Sequence, residues 1–253
     1  MAQIICIANQ KGGVGKTTTA VNLSSALAMS GKNTLLVDCD PQANATTGLG
    51  IDKASLTATL YHGLIDEADA SSLVTDGPMP QLKIIPSRVE LIGFEVEMMN
   101  EPGRETILKR MLAPLTTQFD YIILDCPPSL NLLTLNAMVA AHSVLIPLQS
   151  EFYALEGLGQ LLETIKRIKK NLNPSIKIGG ILLTMYDKRT NLSAQVAENA
   201  EKYFKNLVFN TIIPRNVRLG EAPSFGQPIF LYDASSPGAA GYTALAKEMV
   251  ERQ

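Results

Sequence analysis

Cysteine is scarce in this sequence, with three cysteines in 253 residues. Cys6, Cys39 and Cys126 lie singly in the apolar runs IICIAN, LLVDCDP and IILDCPP, with no C-x-x-C spacing and an odd total. Disulfide frameworks and cysteine-ligated metal or cluster sites need paired or grouped cysteines. The three cysteines are therefore expected to be reduced core residues of a cytosolic protein.

Long apolar runs and an excess of positive charge are also missing. No stretch approaches the roughly 18 uninterrupted apolar residues that a membrane-spanning helix needs, and the chain enters a strand-like segment without a basic leader. A cytoplasmic protein with no membrane partner is expected. Because the formal net charge is −2, any DNA binding has to come from a local patch.

No internal repeat, low-complexity tract or long linker divides the chain. Strands that are apolar on both faces and separated by helices are typical of a parallel sheet covered on both sides. We predict one α/β domain over residues 1–253, three-layered (αβα) with a mostly parallel central sheet. The predicted strands are 4–8, 34–37, 83–85, 121–124, 143–147, 178–184 and 208–213, and the predicted helices are 16–29, 104–115, 130–140, 155–172, 193–204 and 239–251. Residues 50–100 are expected to form short helices and loops against the same domain.

Residues 8–19, ANQKGGVGKTTT, follow the first predicted strand and lead into a helix. A P-loop reads G-x-x-x-x-G-K-[ST]. Gly15, Lys16 and Thr17 fill its last three places, whereas Gln10 stands at the first glycine and an extra lysine, Lys11, follows it. The alternative is a plain glycine turn that opens a helix.

In the P-loop interpretation, backbone N–H groups of the loop and the helix N-terminus bind phosphate oxygens. Lys16 reaches the β- and γ-phosphates, the Thr17 hydroxyl ligates Mg²⁺ and Thr18 lies near the α-phosphate. The loop residues in this predicted site are Lys11, Gly12, Gly13, Val14 and Gly15.

Three aspartates follow two later strands. Asp38 and Asp40, in LLVDCDPQ, are expected beyond the carboxyl edge of the sheet, where ligands of open α/β folds bind. One carboxylate can hold a metal-bound water, and the other can orient the water that attacks the γ-phosphate; alternatively, both cap an Asp-Pro turn. Asp125, in YIILDCPPS, has the form of a Walker B aspartate that supports Mg²⁺, usually through water.

Five segments together carry a family resemblance: KGGVGKTT, DCDPQANAT, LDCPPSL, LTMYDKRTNLS and IPRNVRLGEAPSFGQPI. They resemble the ParA/Soj partition ATPases, within the deviant Walker A group that also holds the MinD and nitrogenase iron-protein relatives. The resemblance runs from Ile4 to the last helix. It implies a P-loop NTPase fold, Mg²⁺-dependent ATP hydrolysis, and a ParB/Spo0J-type partner that stimulates that hydrolysis.

The resemblance also implies an ATP-dependent homodimer. In the family, the lysine matched by Lys11 reaches across a two-fold interface to the phosphates bound by the other subunit, as an arginine finger does in trans. Gly12 would allow the close approach of two subunits. Asp40 matches the residue that positions the hydrolytic water, and Gln42 lies in the same switch segment.

Other positions match residues that contact the base or DNA. Pro214 and Asn216 match positions that contact adenine, and Met185 either packs against the base or is plain core. Basic residues cluster in the C-terminal half, and Arg189 and Arg218 match arginines that bind DNA without sequence preference. The resemblance thus implies nucleoid association, while the lysines and arginine of residues 166–170 are either a solvated helix face or part of the DNA patch.

Several related functions are alternatives. A MinD-like membrane ATPase would need an amphipathic C-terminal helix, and the chain instead ends YTALAKEMVERQ. A nitrogenase-type reductase would need cluster cysteines, and the longer plasmid repressors carry an N-terminal helix-turn-helix domain that is not expected here. A metabolic P-loop kinase or ligase lacks a recognisable second substrate pocket. A relative that positions other cargo, such as a protein cluster, is the main competing interpretation.

Overall fold

The computed structural model describes residues 1–151 and 154–252, with the helical backbone alone for 154–156. Within these residues the strands are β1 Gln3–Ile7, β2 Thr34–Asp38, β3 Thr75–Asp76, β4 Leu82–Ile85, β5 Tyr121–Asp125, β6 Ser143–Gln149, β7 Lys177–Tyr186 and β8 Val208–Pro214. The α-helices are α1 Lys16–Met29, α2 Asn44–Gly48, α3 Leu60–Leu64, α4 Gly93–Glu97, α5 Ile107–Leu112, α6 Leu132–Ala140, α7 Ala154–Asn171, α8 Asn191–Phe204, α9 Val217–Glu221, α10 Ile229–Tyr232 and α11 Pro237–Glu251. Short 3₁₀ helices cover Ala70–Leu73, Val89–Ile92, Arg104–Thr106, Ala113–Leu115, Lys205–Leu207 and Ala222–Phe225.

The strands form one sheet in the order β3-β4-β2-β5-β1-β6-β7-β8. Every neighbouring pair is parallel except β3 and β4. Because parallel strands share one carboxyl edge, the segments after β1, β2 and β5 meet at that edge. In register, Asp125 on β5 stands beside Ile7 on one side and Asp38 on the other.

Helices cover both faces of the sheet, and each face has its own apolar core. Ile4 and Cys6 of β1 pack into one core with helices α5 to α8, whereas Ile5 and Ile7 pack into the other with α1, α10 and α11. This strict alternation makes β1 apolar on both faces, as expected of a central parallel strand. The three-layer αβα prediction is confirmed.

All seven predicted strands are present, and β3 was missed because two residues at an edge give no periodicity. The predicted helix 104–115 is wrong as a single helix. Pro114 has no N–H to donate to the Arg110 carbonyl, so α5 ends at Leu112 and a 3₁₀ turn follows. Residues 50–100 do form short helices and loops against the sheet, as predicted.

The starts of α6, α8 and α11 each differ from the predicted ones by two residues, and each is set by a capping side chain. Asn131, Thr190 and Ser236 accept hydrogen bonds from backbone N–H groups at the starts of α6, α8 and α11.

The three cysteines are buried and free, as expected, although Cys6 and Cys126 are in direct contact, with sulfurs 3.3 Å apart. In the described part of the chain, no helix is both long enough and apolar enough to span a bilayer.

Candidate nucleotide site

The loop between β1 and α1 brings its backbone close to where a ligand would lie. Gly13 (φ 75°) and Gly15 (φ 85°) adopt the left-handed conformation that residues with a Cβ avoid. The Asn9 side chain donates to the Pro147 carbonyl (2.7 Å) and accepts from the Lys11 N–H (3.0 Å), which fixes the start of the loop. The loop ends at the N-terminus of α1, where free N–H groups and the helix dipole favour an anion.

Lys16, the first residue of α1, is only 7% exposed. Its ammonium lies over the loop and donates to the Lys11 carbonyl oxygen at 2.9 Å. Burial lowers the pKa of Lys16, and the nearby Asp125 carboxylate opposes that shift. The structure therefore places a buried cation beside the glycine-rich loop and the N-terminus of α1, an arrangement suited to a phosphate chain.

A contact with β7 supports the middle of the loop. The buried Thr184 hydroxyl, near the end of β7, donates to the Val14 carbonyl at 2.9 Å. The loop is thereby attached to β6 through Asn9 and to β7 through Thr184. Two neighbouring strands thus hold the loop in place, a preorganisation that lowers the cost of ordering it around a ligand.

The Asp38 carboxylate, at the end of β2, is fully buried and well satisfied. One oxygen accepts from the Thr46 N–H (2.8 Å) and hydroxyl (2.7 Å), and the other accepts from the Asp40 N–H (3.2 Å). Burial raises the pKa of Asp38 to about 6, although these hydrogen bonds oppose the rise. Asp38 therefore holds the segment after β2 in place, whatever else it does.

Asp125 is equally buried but has no such partners. Neither of its carboxyl oxygens has a hydrogen-bond partner within the described residues. Burial raises its pKa well above the ordinary range, the Asp38 carboxylate raises it further, and the nearby Thr17 hydroxyl opposes the shift. A buried carboxyl without a donor is costly, and a cation would remove that cost.

These residues fit a Mg²⁺ ion that is bound together with a nucleotide. Asp125 and Thr17 would supply hard oxygen ligands, and Mg²⁺ usually keeps waters and takes further ligands from substrate phosphates. In the described part of the chain, no group of three or more His, Cys, Asp or Glu side chains could hold a metal ion by itself. Both Asp38 oxygens already accept hydrogen bonds, whereas those of Asp125 accept none within the described residues. Of the two predicted carboxylate ligands, Asp125 is therefore the better candidate.

Asp40 lies two residues beyond Asp38 and is 7% exposed. Its Oδ1 accepts from the Gln42 N–H at 2.9 Å, and its carbonyl accepts from the Ala43 N–H at 2.9 Å. The turn-capping interpretation of Asp40 therefore describes its contacts correctly. Its role in positioning water stays a prediction, compatible with this geometry because a capped turn also fixes the carboxylate.

A cavity of about 300 Å³ opens beside the loop. All three residues predicted to contact the base line it, and Met185 does so with an uncommon backbone φ of 51°. Such strain in a residue with a side chain is concentrated at functional sites. Residues lining the cavity include Gly15, Thr18, Thr184, Met185, Pro214, Asn216 and Tyr242.

Asn216 also has a second role. Its side-chain oxygen accepts from the Arg218 N–H at 2.8 Å and so caps α9. This bond leaves the amide nitrogen of Asn216 to donate to a ligand in the cavity. The residue therefore connects the cavity wall to the segment that carries Arg218.

Lys11 lies outside this buried cluster and forms an ion pair with Glu151, just after β6. The Gln149 side chain also donates to Glu151. Both charged side chains of the pair are close to half exposed. Within a single chain, then, the Lys11 ammonium is neutralised by Glu151, and it has to leave that carboxylate to reach phosphates of another subunit.

Gly12 has no requirement for glycine within its own chain. Its φ is outside the left-handed region, and a Cβ added to it would meet nothing within 4 Å. Neither backbone conformation nor contact with a Cβ therefore requires glycine at this position within the chain, and the role of Gly12 at a subunit interface stays a prediction.

Arg189 and Arg218 follow β7 and β8, and the Arg215 N–H donates to the Tyr186 carbonyl between these two segments (2.9 Å). The two arginines thus lie at the carboxyl edge, near the cavity. Both are engaged with carboxylates, which was not predicted. On α7, Lys166 pairs with Glu163 at the surface (3.9 Å), and the two interpretations of that helix face stay open.

Sequence reasoning missed four residues that build the site: Asn9, Thr46, Glu151 and Thr184. A polar residue next to a strand end was the only available signal, and it is weak without knowledge of which strands are neighbours. Thr46 bonds to a carboxylate eight residues away, whereas Glu151 and Thr184 meet the loop across 140 and 170 residues.

A mostly parallel sheet with a glycine-rich loop, a buried lysine and two strand-end aspartates at one edge defines a P-loop nucleotide-binding protein. A family model described as an AAA domain matches residues 2–178.

Within the P-loop nucleotide-binding proteins, this chain is similar in sequence to chromosome-partitioning proteins. The chromosome partitioning protein ParA of Myxococcus xanthus (strain DK1622) is 54% identical over 252 residues, which cover 100% of this chain and 89% of that protein. The chromosome-partitioning ATPase Soj of Treponema pallidum (strain Nichols) is 50% identical over 252 residues, covering 100% of this chain and 98% of Soj. Among solved structures, cobyrinic acid a,c-diamide synthase from Mycobacterium smegmatis with bound ADP and magnesium has a TM-score of 0.88 at 36% identity, over 99% of this chain and 95% of that one.

The chain belongs to the ParA/Soj family of chromosome-partitioning ATPases. The resemblance and the P-loop NTPase fold predicted from the sequence motifs are confirmed.

Proposed function

We propose that this chain is an ATP-dependent DNA partition protein. Two copies bind ATP and Mg²⁺ and form a sandwich dimer, which binds double-stranded DNA without sequence preference. Slow hydrolysis of ATP, stimulated by a ParB/Spo0J-type partner, releases the DNA. The observation that carries the proposal is the carboxyl edge of the sheet, where loop, lysine, aspartate and cavity come together in a chain half identical to partition proteins.

Each part of the edge has a proposed task. The loop N–H groups and Lys16 bind the phosphates, and Asp40 orients the attacking water. Asp125 and Thr17 would hold Mg²⁺, with Asp38 behind them, and the ion would supply positive charge against the phosphates. Lys11 supplies a positive charge to the nucleotide of the other subunit, where charge develops in phosphoryl transfer.

The base and the DNA use the neighbouring segments. Met185, Pro214 and Asn216 enclose adenine in the cavity, and Arg189 and Arg218 contact DNA phosphates. Each phosphate contact steepens the fall of log K with log salt by about 0.9. Dimerisation doubles these contacts without new residues, so a chain with a net charge of −2 binds DNA chiefly as the ATP dimer. The protein would then be cytoplasmic and nucleoid-associated.

Two other functions have some support. The structural likeness to a cobyrinic acid a,c-diamide synthase favours an ATP-dependent synthase, but identity is 36% there against 54% with the partition protein. A MinD-like or cargo-positioning ATPase, acting on a membrane or a protein cluster, would share the ATP cycle and differ in what the dimer binds.

A DNA-binding titration with ATP, ADP and no nucleotide, at several salt concentrations, tests the proposal. DNA binding is expected to be strong and salt-dependent in ATP, and weak in ADP and without nucleotide. The double variant Arg189→Glu with Arg218→Glu should lose DNA binding while keeping ATP-dependent dimerisation, measured by size exclusion. Equal DNA affinity in all three nucleotide states would contradict the proposal, and unchanged affinity of the double variant would place the DNA patch elsewhere.

A further inference from the structure

Arg189 is held by a neighbouring carboxylate. Its Nε donates to Asp187 Oδ1 (2.9 Å) and its Nη2 donates to Asp187 Oδ2 (2.7 Å), a bidentate pair. The Arg189 N–H also donates to Asp187 Oδ1 at 3.0 Å. These bonds hold the pKa of Asp187 well below its usual range. Although the arginine side chain is 85% exposed, two of its nitrogen atoms already donate hydrogen bonds to the Asp187 carboxylate.

Arg218 is held in the same way by two carboxylates. Its Nη1 donates to Glu221 Oε2 (2.9 Å), and its Nε lies 3.5 Å from Asp233 Oδ2. The Tyr232 hydroxyl donates to the same Glu221 oxygen at 3.0 Å, which fixes the carboxylate in place. Both arginines proposed to contact DNA are therefore paired within their own chain.

The patch as a whole is close to neutral. The segments after β7 and β8, joined by the Arg215–Tyr186 hydrogen bond, bring four cations and three carboxylates to one region. The cations are Lys188, Arg189, Arg215 and Arg218, and the carboxylates are Asp187, Glu221 and Asp233. One such patch has little net attraction for a polyanion.

We infer that Asp187 and Glu221, together with Asp233, attenuate DNA binding by pairing with the two arginines that the proposed function assigns to DNA. The inference rests on that proposed function. A DNA phosphate has to displace each carboxylate from its arginine or share that arginine with the carboxylate, so a single subunit binds weakly. Only the doubled patch of the ATP dimer binds well, and the carboxylates thereby sharpen the dependence of DNA binding on ATP.

Asp187→Asn is the most selective test. The asparagine oxygen can still accept the Arg189 N–H, so the turn is kept while the charge is lost. Freeing the arginine should raise DNA affinity about three-fold per subunit and about ten-fold for the ATP dimer. The slope of log K against log salt should steepen by about 1 to 2 for the dimer. Glu221→Gln should act in the same direction through Arg218.

Matched controls separate this effect from net charge. Asp69→Asn and Glu101→Gln make the same changes at exposed positions, and Asp69 lies shortly before β3, at the sheet edge opposite β8. Affinity in these controls should change less than two-fold at physiological salt, where the Debye length is about 8 Å.

The outcomes are distinguishable. A gain in Asp187→Asn or Glu221→Gln well beyond its control supports the inference. Affinities equal to the controls, with a lowered melting temperature, would show that the pairs are purely structural and overturn it, while leaving the proposed function intact. Absence of DNA binding by the unmodified protein and both variants in ATP would overturn the proposed function and the inference with it.

Discussion

The unpartnered carboxyl of Asp125 leads to a prediction about stability that is independent of any activity assay. Without nucleotide, the protein buries this group with no hydrogen-bond partner in the described residues and next to the Asp38 carboxylate. Asp125→Asn keeps the shape of the side chain and removes its charge. We expect the variant to be more stable than the unmodified protein when no nucleotide is present.

The magnitude follows from the burial. An unsatisfied neutral group costs about 1–3 kcal/mol and a charged one more, so the neutral amide should gain on the order of 1–2 kcal/mol. For a protein of this size that is a rise of about 2–8 °C in melting temperature. Mg²⁺ with ATP at about 100 times its dissociation constant adds about 2.7 kcal/mol to the unmodified protein. Asp125→Asn should lose most of this stabilisation by Mg²⁺ and ATP. The unmodified protein should therefore be the more stable of the two with Mg²⁺ and ATP, and the less stable without them.

Thermal unfolding with EDTA and with Mg²⁺ and ATP measures both effects. Asp69→Asn, an exposed control, should stay within about 0.5 kcal/mol of the unmodified protein in both conditions. A lower melting temperature for Asp125→Asn in EDTA would contradict a destabilising effect of the buried Asp125 carboxyl. Full stabilisation of the variant by Mg²⁺ and ATP would refute the role of Asp125 at the metal.

Three substitutions test the remaining roles. Lys16→Ala removes the buried cation and should weaken ATP binding at least 100-fold by calorimetry; retained affinity would contradict the P-loop assignment. Asp40→Ala should lower the hydrolysis rate at least 100-fold and trap an ATP-bound dimer in size exclusion, whereas a monomer there would argue against the switch role. A Cβ at Gly12 would meet nothing within 4 Å in its own chain, so Gly12→Val should keep ATP binding and stability while dimerisation is lost; a normal dimer would count against close approach at this position.

The sequence predicted well what depends on local pattern. Residues 8–19 are a contiguous motif between a strand and a helix, and the two-sided apolar character of segments such as β1 and β5 identifies central parallel strands. Strand-end placement of Asp38 and Asp125 then followed from the rule that ligands bind at the carboxyl edge. Their in-register pairing also explains why two separate motifs form one site.

What could not be predicted depends on contacts between distant segments. The satisfied state of Asp38 and the unpartnered state of Asp125 need the position of Thr46, and the neutralisation of Lys11 needs that of Glu151. The arginines of the DNA patch were recognised by type and position. Carboxylates close to them in sequence, such as Asp187 and Glu221, gave no signal, because pairing depends on loop conformation.

In the proposed dimer, each nucleotide site is completed by Lys11 of a second subunit. Lys11→Ala and Asp40→Ala are each expected to be inactive, because each removes a group needed at every site of its homodimer. In a heterodimer of the two variants, however, the site on the Lys11→Ala subunit keeps its own Asp40 and receives Lys11 from the other subunit. Only a lysine that acts in trans can restore this site.

The measurement is the ATP hydrolysis rate over the first turnover for the two variants mixed in equal amounts before ATP is added, because the Asp40→Ala site of a mixed dimer is expected to keep its ATP. Half of the dimers should be mixed and each should hold one complete site, so about one quarter of the unmodified rate is expected. A rate no higher than the average of the two separate variants would contradict the claim and confine Lys11 to its own subunit.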